Sequence, residues 1–266
     1  MSKRLNALTA LLLSGALALT TAMIVGGVCH LRHRASCLEP NPQNTPIPEA
    51  SDDDFPVVDW DYWTHVNPDV IGWVTVPGTS LDYPIVQAHE DNPQFYLTHD
   101  VYGSWNFAGC PYLDAGCKEE GLLESRNAVI FGHNLGFGDD SMFATFASYT
   151  DEAFAKAHAV VYLQTPSKKT TLSVMASDCV AGWDSTKRTH FANERDFEAW
   201  YEDRYNASIV KVIDQAPDRI ATFVTCSYNR WSNERTLVYC SSSDSGPSVN
   251  SPTLTPNAEA MRQSSE

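Results

Sequence analysis

Eight short runs of β-branched and aromatic residues, at 70–76, 80–87, 110–113, 127–132, 160–165, 169–179, 220–226 and 235–240, most constrain what this chain can become. Turn residues such as Pro77-Gly78 and Pro166-Ser167 separate many of them. Short strands at this spacing predict a mainly β fold, an eight-stranded closed barrel or a sandwich. Helical periodicity is confined to a few places. At 194–205, Phe197, Trp200, Tyr201 and Tyr205 fall on one face behind a cap-like Asn193 and Asp196. A shorter helix is predicted at 57–66, packing Trp60 and Trp63 on the barrel. These aromatic stripes read as core packing.

The flanks differ in kind. Residues 5–28 form 24 consecutive positions without a charge. As a helix they span about 36 Å, enough for a hydrocarbon core of about 30 Å. A signal peptide cleaved near Ala16-Leu17-Ala18 is the alternative, but apolar character continues ten residues past that site and favours an uncleaved anchor. Lys3 and Arg4 on one side balance Arg32 and Arg34 on the other, so charge leaves the orientation open. Residues 1–34 are thus read as a stub and anchor. Residues 35–56, with five prolines and Asp52-Asp53-Asp54, read as an extended spacer. Residues 57–240 are long enough to bury one core, and 241–266, rich in Ser and Pro, are expected to be disordered.

Beyond the anchor, residues 35–266 carry 14 Lys and Arg against 33 Asp and Glu, a net of −19. That balance argues against nucleic acid as a partner and against a polybasic grip on anionic lipid. Seven cysteines are too few for a disulfide scaffold at this length, and an odd number leaves at least one thiol free. Cys110 and Cys117 are spaced to close a short loop. Neither a CxxC pair nor a His/Cys cluster has zinc spacing, so a structural metal is not expected.

Three residues stand out chemically. Cys226 ends an apolar run in which Ile220, Thr222, Val224 and Cys226 share one face, and a polar stretch, Ser227-Tyr228-Asn229, follows. His133 follows another apolar run, 128–131, and opens a glycine-rich loop. Arg235 starts the run that returns from Cys226, so a hairpin would set it beside the thiol. A thiol, an imidazole and a guanidinium supply a nucleophile, a proton carrier and an oxyanion stabiliser. Alone, each is more often structural; the shared hairpin logic favours their meeting.

These motifs, in this order, resemble the sortases, specifically those of class B. Thr222-Phe223-Val224-Thr225-Cys226 is similar to the family's Thr-Leu-x-Thr-Cys, and Phe131-Gly132-His133-Asn134 to its histidine segment. Asp140-Ser141-Met142-Phe143 is similar to a Gly-Ser-Met-Phe segment, with Asp for Gly. The segments 67–74 and 81–87 look like the family's opening, and 109–114 like its Gly-Ser-Ile-Phe-Leu-Asp strand, with Cys110 at the Ser position. The helix at 194–205 fits the one class B members insert before the cysteine strand. Cys240 is a departure from the family pattern. The resemblance covers roughly 57–240.

It implies an extracytoplasmic cysteine transpeptidase, also acting as a thiol peptidase, on an eight-stranded barrel with its N-terminus inside the cell, and it implies neither a metal nor an organic cofactor. Cys226 would attack the threonine carbonyl of a sorting signal and form a thioacyl enzyme, His133 would move protons between amines, and Arg235 would hold the oxyanion. Asn134, Thr225 and Tyr228, beside these groups, are candidate substrate contacts. The implied partners are a sorting-signal peptide and an amine of peptidoglycan or its lipid-linked precursor. The alternatives are a pilin lysine as acceptor, or a non-catalytic surface-binding module on the same barrel.

Overall fold

The apolar runs pair as strands of one sheet. The computed structural model describes residues 51, 54–182, 187–228 and 232–242. The strands are β1 (Val70–Thr75), β2 (Asp82–Gln87), β3 (Tyr112–Leu113), β4 (Asn127–Phe131), β5 (Val160–Gln164), β6 (Lys169–Ala181), β7 (Val210–Lys211), β8 (Ile220–Ser227) and β9 (Glu234–Ser242). Their spatial order is β5-β1-β2-β3-β4-β8-β9-β6-β7, and β5 pairs again with β6. That second pairing closes eight strands into a barrel and removes the free edges an open sheet would leave. The two-residue β7 hangs on β6 outside the closure, too short to show a period in the sequence.

Two joins are parallel, β2 with β3 and β4 with β8. A parallel join requires a crossover, and the one from β4 to β8 contains the helices α2 (Ala144–Ala147), α3 (Glu152–Ala157) and α4 (Glu194–Ala207). Asn193 caps α4 by accepting from the Asp196 amide at 3.1 Å. The first helix, α1, runs Trp60–Val66 because Asp59 accepts from the Tyr62 amide and fixes its start. It is therefore shorter than the predicted 57–66, and Val57 is exposed.

Alternation along β8 builds two cores at once. Ala221 and Phe223 point into the barrel among Val74, Ile85, Ile130, Phe143 and Phe146. There Phe223 stacks on Phe146 with centroids 4.4 Å apart. Ile220 and Val224 point outward and are covered by Phe197 and Tyr201 of α4. Burying each large side chain contributes about 1.5–3 kcal/mol, so packing holds β8 on both faces. Trp60 and Trp63 of α1 pack on a third cluster around Val86, Tyr96 and Tyr112.

No disulfide joins the described cysteines, Cys110, Cys117, Cys179, Cys226 and Cys240. Cys110 and Cys117 do not bridge: Cys110 faces the Pro84 carbonyl and Cys117 donates to the Asn127 carbonyl at 3.4 Å. Among the described residues no helix is long and apolar enough to cross a membrane. The anchor expected at 5–28, most of the spacer and nearly all of the tail lie outside the described residues.

Candidate active site

Cys226 and Arg235 are direct cross-strand partners on the β8–β9 hairpin. Opposed residues of an antiparallel pair share a face, with Cβ atoms about 4.5–5.5 Å apart. The hairpin thus sets the two side chains next to each other on one face, and Arg235 Nη1 donates to the Glu234 carbonyl at 3.0 Å. His133 arrives from β4, which runs parallel to β8 with Phe131 beside Val224. The Gly132 amide extends the ladder to the Val224 carbonyl at 3.1 Å, so His133 and Cys226 each lie two residues past the same rung.

Every residue of the Gly132-His133-Asn134 triplet has a separate task. Gly132 carries no Cβ because one would collide with the Phe143 ring. His133 gives the imidazole, and its own carbonyl accepts from the Phe143 amide at 2.7 Å. Asn134 donates from Nδ2 to the Cys226 carbonyl at 2.9 Å and accepts from the Gly136 amide at 3.0 Å, tying the histidine loop to the cysteine strand. The His133 ring is oriented by Nε2, 2.8 Å from the Leu97 carbonyl. A carbonyl can only accept, so in the neutral ring Nε2 carries the proton and Nδ1 is the basic nitrogen. Among the described residues no group of three or more His, Cys, Asp or Glu is gathered to hold a metal ion.

No family model matches the chain. It is 32% identical over 170 residues to sortase B of Listeria monocytogenes and 27% identical over 163 residues to sortase B of Staphylococcus aureus, covering in each case 60% of this chain. Among solved structures, the X-ray structure of Clostridium perfringens sortase B is 30% identical with a TM-score of 0.61, over 68% of this chain and 98% of that one. This chain belongs to the class B sortases. The match spans 64% of the length of the two curated relatives. The Staphylococcus aureus sortase B–substrate complex, at 24% identity and a TM-score of 0.61 over 69% of this chain and 83% of that one, shares the fold.

Within this class B barrel the three candidate substrate contacts separate. Tyr228 lies at the site: its ring packs near Gly136, and its hydroxyl is 3.5 Å from the Asn134 carbonyl. Burial, then its hydrogen bond to Cys226, holds the Tyr228 phenol above its usual value, while Arg235 pulls it down. Asn134 joins the site through the Cys226 carbonyl. Thr225 does not join it. Neighbours along a strand face opposite ways, so Thr225 shares the inner face of Phe223, is 2% exposed, and its hydroxyl finds no partner among the described residues. Ser227, Glu234 and Thr236 are buried on that same inner face.

Leu97 was not visible as a site residue in the sequence. It acts through its backbone carbonyl, which leaves no trace in residue identity. The loop beyond His133 holds a second unforeseen feature, Phe137 at φ 55° between Gly136 and Gly138, both also at positive φ. The Asp139 amide closes this turn on the Gly136 carbonyl at 3.0 Å. Phe137 is fully exposed there, an unusual conformation for a bulky residue.

Proposed function

We propose that this chain is a cysteine transpeptidase that cleaves a sorting signal after threonine and transfers the acyl group to an amine of the cell wall. The observation that carries the reading is the direct cross-strand pairing of Cys226 with Arg235, with His133 at the same level of the neighbouring strand. The thiolate of Cys226 attacks the threonine carbonyl. Negative charge collects on the carbonyl oxygen, where Arg235 stabilises it. Collapse of the tetrahedral intermediate breaks the C–N bond, protonated His133 gives its proton to the leaving amine, and a thioester remains on Cys226. An incoming amine then attacks the thioester, its proton passes to His133, and the thiolate is released. No electrons change hands and no cofactor is needed.

Membership of the class B sortases supports this chemistry, and the solved Staphylococcus aureus sortase B–substrate complex supports substrate binding on this fold. The uncharged stretch at 5–28 supports a single membrane anchor, and membership of the class B sortases supports a catalytic domain on the outer side. The acidic, proline-rich spacer before the barrel suits a tether that keeps the enzyme near membrane-bound substrates.

The test is the full-length protein in detergent, incubated with a panel of sorting peptides and amines and followed by mass spectrometry. Cleavage after threonine with the amine captured as an amide is expected. Release of free acid alone, undiverted by added amine, would make the protein a thiol hydrolase. Capture of a pilin lysine in preference to wall amines would reassign the acceptor.

A further inference from the structure

The Leu97 carbonyl that orients His133 belongs to a single turn of 3₁₀ helix, Phe95–Leu97. One isolated turn has little stability of its own, and this one is held from three sides. The Tyr96 carbonyl accepts from the Cys110 amide at 2.9 Å. Gly109 permits that approach, since a Cβ there would strike the Tyr96 carbonyl oxygen, and its φ of +63° also favours glycine. The Phe95 ring stacks on His99 at 3.9 Å and on His89 at 5.1 Å.

The third hold is polar and partly buried. The Tyr96 hydroxyl donates to Asp69 Oδ2 at 2.6 Å and accepts from Asn67 Nδ2 at 2.9 Å. The same carboxylate oxygen meets His89 Nε2 at 2.5 Å. Asn67 in turn donates to the Val101 carbonyl and accepts from the Asp69 amide, each at 2.9 Å. Tyr96 is 2% exposed. Burial holds its phenol far above the usual value, so it remains a donor. Hydrogen bonds converging on one carboxylate oxygen are charge-assisted and geometrically exacting.

We propose that Tyr96, braced by Asp69, Asn67 and His89, is a positioning residue for His133: it fixes the Leu97 carbonyl and thereby the imidazole tautomer. Tyr96 and Leu97 are adjacent in one turn, so anchoring the phenol sets the direction of the next carbonyl. That carbonyl holds the proton on Nε2 and leaves Nδ1 as the nitrogen that exchanges protons with amines. The catalytic consequence rests on the transpeptidase reading; the tautomer does not.

The test is Tyr96→Phe in the full-length protein, which removes one oxygen. At a pH where the ring is neutral, ¹⁵N spectra of histidine-labelled protein, with His133→Gln for assignment, are expected to show His133 as the Nε2–H form. In Tyr96→Phe they should show a mixture of tautomers. With a cleaved sorting peptide, kcat is expected to fall about tenfold and KM to stay within twofold. A folded Tyr96→Phe protein with the wild-type His133 signals and kcat within twofold of wild type overturns the proposal. If that variant does not fold, His89→Ala decides it, because His89 is partly exposed. It is expected to lower kcat about threefold at constant KM, and unchanged kcat with unchanged His133 signals overturns the proposal. If no peptide is turned over by the wild type, the transpeptidase reading fails while the ring signals still decide the positioning.

Discussion

The β8–β9 hairpin carries two cysteines on opposite faces. Cys226 stands on the outer face opposite Arg235, half-buried at a strand end. Cys240 stands on the inner face opposite Ala221, wholly buried in the barrel. Burial alone drives the Cys240 thiol far above its usual value, so it stays protonated and inert. The strand period assigns these fates: position in the pleat decides which thiol meets a guanidinium and which meets Val174 and Val238. The same contrast separates Cys226 from Thr225 and Ser227, its neighbours on either side.

The largest effect expected from this contrast is on turnover. Cys226→Ala should lower the rate of peptide cleavage by on the order of 10⁴-fold or more, with little change in thermal midpoint. Cys240→Ala should retain cleavage and lose about 1 kcal/mol in a denaturant titration, as a small cavity opens in the core. Alkylation of the native protein by iodoacetamide should mark Cys226 and spare Cys240; labelling of both at equal rates would break the comparison.

Next in size is the partner of the thiol. Arg235→Ala should cost about 10²–10³ in kcat, the usual cost of one oxyanion donor. Arg235→Lys should recover only part, because an ammonium lacks the planar fork. Steady-state kinetics on a sorting peptide checks both, and a fully active Arg235→Lys would show that charge alone suffices.

Buried thiols also set an alkaline limit. Burial pushes the Cys117 thiol up from an ordinary 9.0 to about 11, with lowering hydrogen bonds outweighed. Its folded value lies above the unfolded one, so its contribution is complete below pH about 9 and is lost as pH rises through about 11. Over that window the unfolding free energy should fall by about 2–3 kcal/mol from this group. Denaturant titrations of wild type and Cys117→Val between pH 8 and 11 should differ in slope; parallel curves would contradict the assignment.

The smallest effect concerns the inner face beneath the site. The Thr225 and Ser227 hydroxyls are buried without a hydrogen-bond partner among the described residues. A buried, unsatisfied hydroxyl costs about 1–3 kcal/mol. Removing it by Thr225→Val or Ser227→Ala should leave stability unchanged or raise it by about 1 kcal/mol. A loss of more than about 2 kcal/mol, measured by denaturant titration, would show that these hydroxyls are bonded after all.

The barrel was largely legible because each of its eight strands carries its own run of β-branched or aromatic residues. The meeting of Cys226 with Arg235 was legible too, since a hairpin fixes register locally. Val210–Lys211, Ala144–Ala147 and Glu152–Ala157 were not, because a strand that short has no apolar run of its own and neither helix completes two turns. The helix at Trp60 starts three residues later than its apolar residues suggest, since the cap at Asp59 decides the start. Thr225 adjoins Cys226 in sequence and so reads as a substrate contact there, but the pleat puts it on the far face. The hold on His133 escaped entirely. A backbone carbonyl 36 positions away supplies it, steadied by Tyr96 and Asp69, which are themselves 27 positions apart.

The most direct measurement is the mass of the acyl enzyme. Full-length protein mixed with a sorting peptide and no amine should gain the mass of the acyl fragment on the tryptic peptide that contains Cys226. The adduct should discharge on addition of amine and be absent from Cys226→Ala. Peptide cleavage with no adduct on Cys226, or an adduct that persists in Cys226→Ala, would contradict a transpeptidase built on the Cys226–Arg235 pair.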